Sequence, residues 1–169
     1  MESGDTVEGV ALVSGGSRGI GRAVAHALAG AGARVAVCGR DTAALDEAAA
    51  DVRSKTGADV LTVAADLATP AGVTHAVDTT HGRFGRIDVL VNNAGAIRAG
   101  DFLTTPDEQW MEDWSPKLFG YVRMARAVFP LIRAQGGGRI GRVPHGHLRD
   151  RRWRGHERRL PMQEPSCGC

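Results

Sequence analysis

Residues 10–21 read Val-Ala-Leu-Val-Ser-Gly-Gly-Ser-Arg-Gly-Ile-Gly, and this stretch decides the fold. Val10 to Ser14 is a short apolar run that stops at glycine. A run of that length and character is expected as a strand buried on both faces. The following residues to Gly21 are too glycine-rich for a strand or a helix interior, so they read as a turn. Gly21 to Ala31 is rich in Ala and Leu and predicts a helix, with Gly32 as its stop. Strand, glycine turn and helix in that order form the opening half of a βαβ unit.

The pattern repeats downstream. Val35 to Cys38 is a second apolar run, and Asp41 is placed to cap a helix through Leu45, Ala48, Ala49 and Val52 that ends near Gly57. Residues 60–64 predict a third strand, 70–84 a third helix and 87–91 a fourth strand that ends in Asn92-Asn93-Ala94-Gly95. Such alternation predicts an α/β, Rossmann-like, doubly wound parallel sheet covered by helices on both faces. Thr105-Pro106-Asp107-Glu108 reads as a capping box with proline at the first helical position. Ser115-Pro116 repeats the signal and is expected to start a longer helix, with Leu118, Val122, Ala125, Phe129 and Ile132 along its apolar face. Gly136-Gly137-Gly138 ends it. Arg139-Ile140 looks like the first step of a fifth strand that does not develop, which would leave the fourth as an exposed apolar edge. The sheet is therefore expected to be truncated after about four to five strands.

The chain divides near residue 140. It has 169 residues and a formal net charge of +2. That balance is −2 from residues 1–140 (14 basic, 16 acidic) and +4 from residues 141–169 (7 basic, 3 acidic). The last 29 residues hold seven Arg, three His and three Pro but no Ala, whereas the first 140 hold 25 Ala. The expected organisation is an incomplete dinucleotide-binding domain over 1–140 and an irregular Arg-rich tail over 141–169. The composition excludes collagen-like, coiled-coil and globally disordered chains. No 18-residue apolar run is present, and Met1 to Asp5 lacks the basic and apolar regions of a signal peptide. Cys38, Cys167 and Cys169 are too few for a disulfide framework, so the expected setting is reduced and cytoplasmic.

Glycines after a buried strand allow a tight turn and a close approach of backbone to a pyrophosphate. The helix that follows presents free N–H groups and the positive end of its dipole. Asp66-Leu67 follows the third strand, and Asn92-Asn93-Ala94-Gly95 follows the fourth. In order and spacing these three motifs resemble the short-chain dehydrogenase/reductase family over residues 8–140. The resemblance implies that Gly15, Gly16, Ser17, Arg18, Gly19, Ile20 and Gly21 line a pyrophosphate and that Asp66 and Leu67 hold an adenine. It places Asn93, Ala94 and Gly95 beside the adenosine ribose, where they also support the sheet. Strand two ends in Cys38-Gly39-Arg40, without the carboxylate that would bind the ribose 2′-hydroxyl of NAD. Arg40 and Arg18 have the forked donors to clamp a 2′-phosphate, so NADP(H) is expected and NAD is the lesser alternative.

The resemblance also implies a catalytic Ser, a Tyr and a Lys four residues beyond that Tyr. Here Tyr121 is the only tyrosine, position 125 is Ala, the only lysines are Lys55 and Lys117, and Ser166 is the only serine after Ser115. No catalytic residue is assigned. Lys117 stands where many members carry a relay Asn. Lys117 and Tyr121 share an i, i+4 helix face, but packing and a solvated amine account for them better than catalysis. His145, His147, Cys167 and Cys169 match no standard zinc spacing, so no metal is expected. Arg149 to Arg159 could touch nucleic-acid phosphates only nonspecifically. A reading frame shifted near codon 140 accounts for the break, and translation of the other frames past that point tests it.

The expected function is an NADP(H)-dependent oxidoreductase that interconverts an alcohol and a ketone, catalytically impaired in this chain. A nicotinamide dinucleotide is the expected partner, with a small carbonyl or alcohol substrate in intact relatives. No membrane and no specific nucleic acid is expected, and oligomerisation is expected to be impaired. The alternatives are a non-catalytic dinucleotide-binding module or inactive remnant, and an interaction protein that uses its basic tail.

Overall fold

A computed structural model of the chain describes residues 8–95, 101 and 103–143. The motifs at 144–169, with the candidate ligands His145, His147, Cys167 and Cys169, lie outside the described residues. The elements among the described residues run β1 (Val10–Ser14), α1 (Gly19–Gly30), β2 (Arg34–Gly39), α2 (Thr42–Thr56), β3 (Val60–Ala64), α3 (Pro70–Phe84), β4 (Val89–Asn92), α4 (Asp107–Trp114), α5 (Tyr121–Ala134) and β5 (Arg139–Arg142), alternating from β1 to β4. The strands form one parallel sheet in the order β3-β2-β1-β4-β5.

Strand pleating sends alternate residues of β1 into two cores. Val10 and Leu12 join Leu90, Val73, Val77, Met124 and Val128 under α3 and α5. Ala11 and Val13 join Val35, Val37, Ala25, Leu45, Ala49 and Val52 under α1 and α2. Every residue of β1 is buried, which explains why its sequence does not alternate.

The caps follow local chemistry. Asp41 Oδ1 accepts the Ala44 N–H at 3.1 Å at the start of α2, and Gly57 closes that helix in the left-handed conformation. Thr69 caps α3 by accepting from Gly72 N at 3.0 Å.

Four expectations on the C-terminal side are corrected. Thr105 is not a side-chain cap: its hydroxyl donates to the Asp101 carbonyl at 2.6 Å, and α4 starts at Asp107. Ser115-Pro116 does not start a helix. Ser115 is itself helical, and residues 115–120 form a π-helical stretch that joins α4 to α5. Proline removes one backbone donor and crowds the preceding turn, and the wider π turn accommodates both. The buried face of α5 is Met124, Val128 and Ile132, while Leu118, Val122 and Phe129 are exposed. Both sides of this helix carry apolar residues, so periodicity alone did not single out the inner one. Finally, the fifth strand does form. β5 pairs with all of β4 from Val89↔Arg139 to Asn92↔Arg142, so β4 is interior and the exposed edge is β5.

Candidate functional site

The strand order reverses between β2-β1 and β1-β4, and the carboxyl ends of these strands open onto a cleft of about 960 Å³. Of the residues singled out in the sequence, Gly15, Ser17, Arg18, Gly19, Ile20, Arg40, Asp66, Leu67, Asn93, Ala94 and Gly95 line it. Gly16 and Gly21 are buried beneath the turn instead. The fold thus gathers residues from four βα loops into one place.

Two glycines make the turn possible for reasons of space. A side chain on Gly21 would collide with the Gly15 carbonyl oxygen and the Asn93 amide. One on Gly15 would meet Ala94 Cα at 2.9 Å, in a backbone conformation (φ +67°) that disfavours side chains. The turn, the start of α1 and the end of β4 are therefore packed backbone to backbone.

Ser14, which sequence reading passed over, ties these segments together. Its hydroxyl oxygen accepts from Asn93 N at 2.8 Å and Ala94 N at 3.0 Å, and donates to the Val91 carbonyl at 3.3 Å. The Asn93 side-chain amide donates to the carbonyls of Ser14 and Gly15, both at 3.1 Å. This is the sheet-supporting half of the role implied for Asn93. The ties span 77 to 80 residues of sequence.

The first turn of α1 is open. Arg18 occupies its N-cap position without a capping side-chain hydrogen bond, and no acidic residue follows in that turn. The leading N–H groups and the positive dipole end thus have no anionic side chain of their own to meet. At the rim, Arg18 Nη2 pairs with Asp41 Oδ2 at 2.7 Å, and Arg40 is exposed. Asp66 is exposed beside the cleft, with its Oδ1 accepting from Ala68 N at 3.0 Å, whereas Leu67 is buried. The Lys117 stem packs over Gly95, leaving no room for a side chain there.

Tyr121 and Lys117 do not form an acid–base pair. The Tyr121 hydroxyl is buried and has no hydrogen-bond partner among the described residues. Burial pushes its pKa up, only partly offset by Arg142, which is the opposite of what proton transfer at neutral pH needs. Cys38 is fully buried between the sheet and its cover, and its thiol is pushed up to about 12 by desolvation. Among the described residues no group of His, Cys, Asp and Glu is placed to hold a metal. Nor is any helix there long and apolar enough to cross a membrane.

This combination of glycine turn, open helix start and switch-point cleft belongs to a Rossmann-like, doubly wound α/β fold. The chain belongs to the short chain dehydrogenase family, whose model matches residues 9–143. It is similar to 3-oxoacyl-[acyl-carrier-protein] reductase FabG of Escherichia coli, 34% identical over 131 residues that cover 78% of this chain and 52% of the relative. It is also similar to the short-chain reductase NovJ of Streptomyces niveus, 41% identical over 133 residues that cover 79% of this chain and 50% of the relative. Among solved structures, L-sorbose reductase from Gluconobacter frateurii complexed with NADPH and L-sorbose superposes with a TM-score of 0.77 at 39% identity, covering 82% of this chain and 53% of that one. The chain spans about half the length of these relatives.

Proposed function

We propose that the cleft binds a nicotinamide dinucleotide, NADP(H) in preference to NAD(H), and that the family activity inherited here is the interconversion of an alcohol and a ketone. The observation that carries this reading is the uncapped first turn of α1 at a glycine turn that leaves no room for a side chain at Gly15 or Gly21, with Arg18 and Arg40 at the rim. Glycines there let backbone N–H groups reach a pyrophosphate. Asp66 and Leu67 would hold the adenine, and Asn93, Ala94 and Gly95 the adjoining ribose. Arg18 and Arg40 would supply charge-assisted hydrogen bonds to a 2′-phosphate. The NADPH named with the sorbose reductase supports the same choice. Bound nicotinamide supplies or accepts the hydride.

Proton transfer is where this chain falls short. A carbonyl reduced to an alcohol needs a proton donor in reach of its oxygen. Tyr121, the only tyrosine, has its hydroxyl buried, without a hydrogen-bond partner among the described residues, and does not line the described cleft. We therefore read the chain as a cofactor binder with turnover below detection. Titration with NADPH and NADH, followed by a panel of ketones, tests both parts. Failure to bind either dinucleotide refutes the cofactor reading. Measurable reductase activity that disappears in Tyr121→Phe refutes the silence of the site.

A further inference from the structure

We infer that Arg123 is a positioning residue that sets the adenine wall of the cleft from outside it. The inference rests on the dinucleotide reading above and concerns the loop between β3 and α3. Asp66, Leu67 and Ala68 of that loop line the cleft, whereas Arg123, on the first turn of α5, does not. The two segments are 55 residues apart in sequence, yet Arg123 Nη1 donates to the Ala68 carbonyl at 2.8 Å. Sequence reading gave Arg123 no role.

The other bonds of the loop are local. The Asp66 carbonyl accepts from Thr69 N at 3.1 Å and from Thr69 Oγ1 at 2.9 Å, and Asp66 Oδ1 accepts from Ala68 N at 3.0 Å. Bonds of this kind shape a turn without fixing where it sits on the rest of the protein. The charge-assisted bond from Arg123 does fix it. Two features of the neighbouring residues suit them to this task. A side chain on Gly120 would meet the Leu67 carbonyl oxygen at 3.0 Å, so glycine lets the loop come close. The guanidinium carbon of Arg123 lies 5.5 Å from the centre of the Phe119 ring, which steadies it. Ala68 is thus held on both sides, its carbonyl by Arg123 and its N–H by the Asp66 carboxylate. Loss of the outer bond would leave that carboxylate free to drift against an adenine, with the glycine turn unaffected.

The amino group of adenine supplies the test. An ionised carboxylate only accepts hydrogen bonds, so Asp66 should favour NADP+ over its hypoxanthine analogue, in which oxygen replaces that amino group. Arg123→Met keeps a long side chain against Phe119 and removes the donor. Arg126→Met removes the same charge from an exposed position of the same helix and serves as the control. The full chain, wild type and each variant, is titrated by calorimetry with both dinucleotides. Wild type and R126M should prefer NADP+ by about five- to ten-fold, and R123M by less than about two-fold. An unchanged preference in R123M overturns the inference, even where both affinities fall, because the residue is then merely structural. An equal loss of preference in R126M overturns it too, since charge alone would be the cause. If R123M does not fold, Arg123→Gln, whose amide ends two bonds short of Nη1, is read by the same ratio. A wild type that binds both dinucleotides without preference overturns this inference alone. One that binds neither refutes the dinucleotide reading and takes this inference with it.

Discussion

Replacing Ser14 by alanine should cost far more than its single oxygen atom suggests. Ser14 is 1% exposed and its hydroxyl serves three partners: the N–H groups of Asn93 and Ala94 and the carbonyl of Val91. Ser14→Ala removes the acceptor from two N–H groups at a site too closed for water to substitute freely. A buried polar group left unpaired costs about 1–3 kcal/mol, so the two donors together imply a loss of about 2–6 kcal/mol. The same chemical change at Ser54 is the control. That hydroxyl donates to the Asp51 carbonyl at 2.9 Å on an exposed face, so Ser54→Ala should stay within about 0.5 kcal/mol of wild type. Urea denaturation measures both variants, with an unchanged slope required for comparison. Hydrogen exchange at Asn93 and Ala94 should accelerate in Ser14→Ala. A loss below about 1 kcal/mol, with wild-type protection at those two amides, would refute the claim that one hydroxyl joins β1 to β4.

Three further outcomes follow from the same contacts. Gly21→Ala should lower stability by about 1–3 kcal/mol in a urea melt and weaken dinucleotide binding, because its methyl meets the Gly15 carbonyl and the Asn93 amide. Tyr121→Phe should be neutral or stabilising, by up to about 2 kcal/mol in the same melt, because it removes a buried hydroxyl that has no partner among the described residues. For Cys38, whose thiol is pushed up from 9.0 to about 12 by burial, stability is full below pH 9 and falls as pH rises toward 12. The unfolded chain releases that proton first, at about 1.4 kcal/mol per pH unit. Cys38→Ala should flatten this part of the alkaline slope in pH-dependent denaturation and leave the part due to Tyr121.

The sequence was most readable where local chemistry decides the structure. Strands β1 and β3 matched their apolar runs, α3 matched its expected span, and Asp41 and Gly57 cap α2 as their types require. The cleft was also legible, because its glycines are needed for space and that need is written into residue type. What remained hidden was non-local. Ser14 acts across 79 residues of chain, and no window around it announces the partners. Gly72 reads as an ordinary helix glycine until the Asp66 carbonyl is found against it. Pro116 signalled a helix start because proline is usual there, yet here the helix widens around it and continues. The outward turn of Leu118, Val122 and Phe129 depended on which side of a doubly apolar helix met the sheet, a question only packing answers.

The central place of β1 has a consequence for synthesis. Its neighbours are β2, which follows at once, and β4, which starts at Val89. At about 5–20 residues per second, the ribosome takes roughly 4–15 s to travel from Ser14 to Val89. For that time a strand that ends up buried along its whole length has one hydrogen-bonding edge without its native neighbour. The nascent chain is thus most open to mispairing while its own middle is still being made, and a pause before Val89 would prolong that interval.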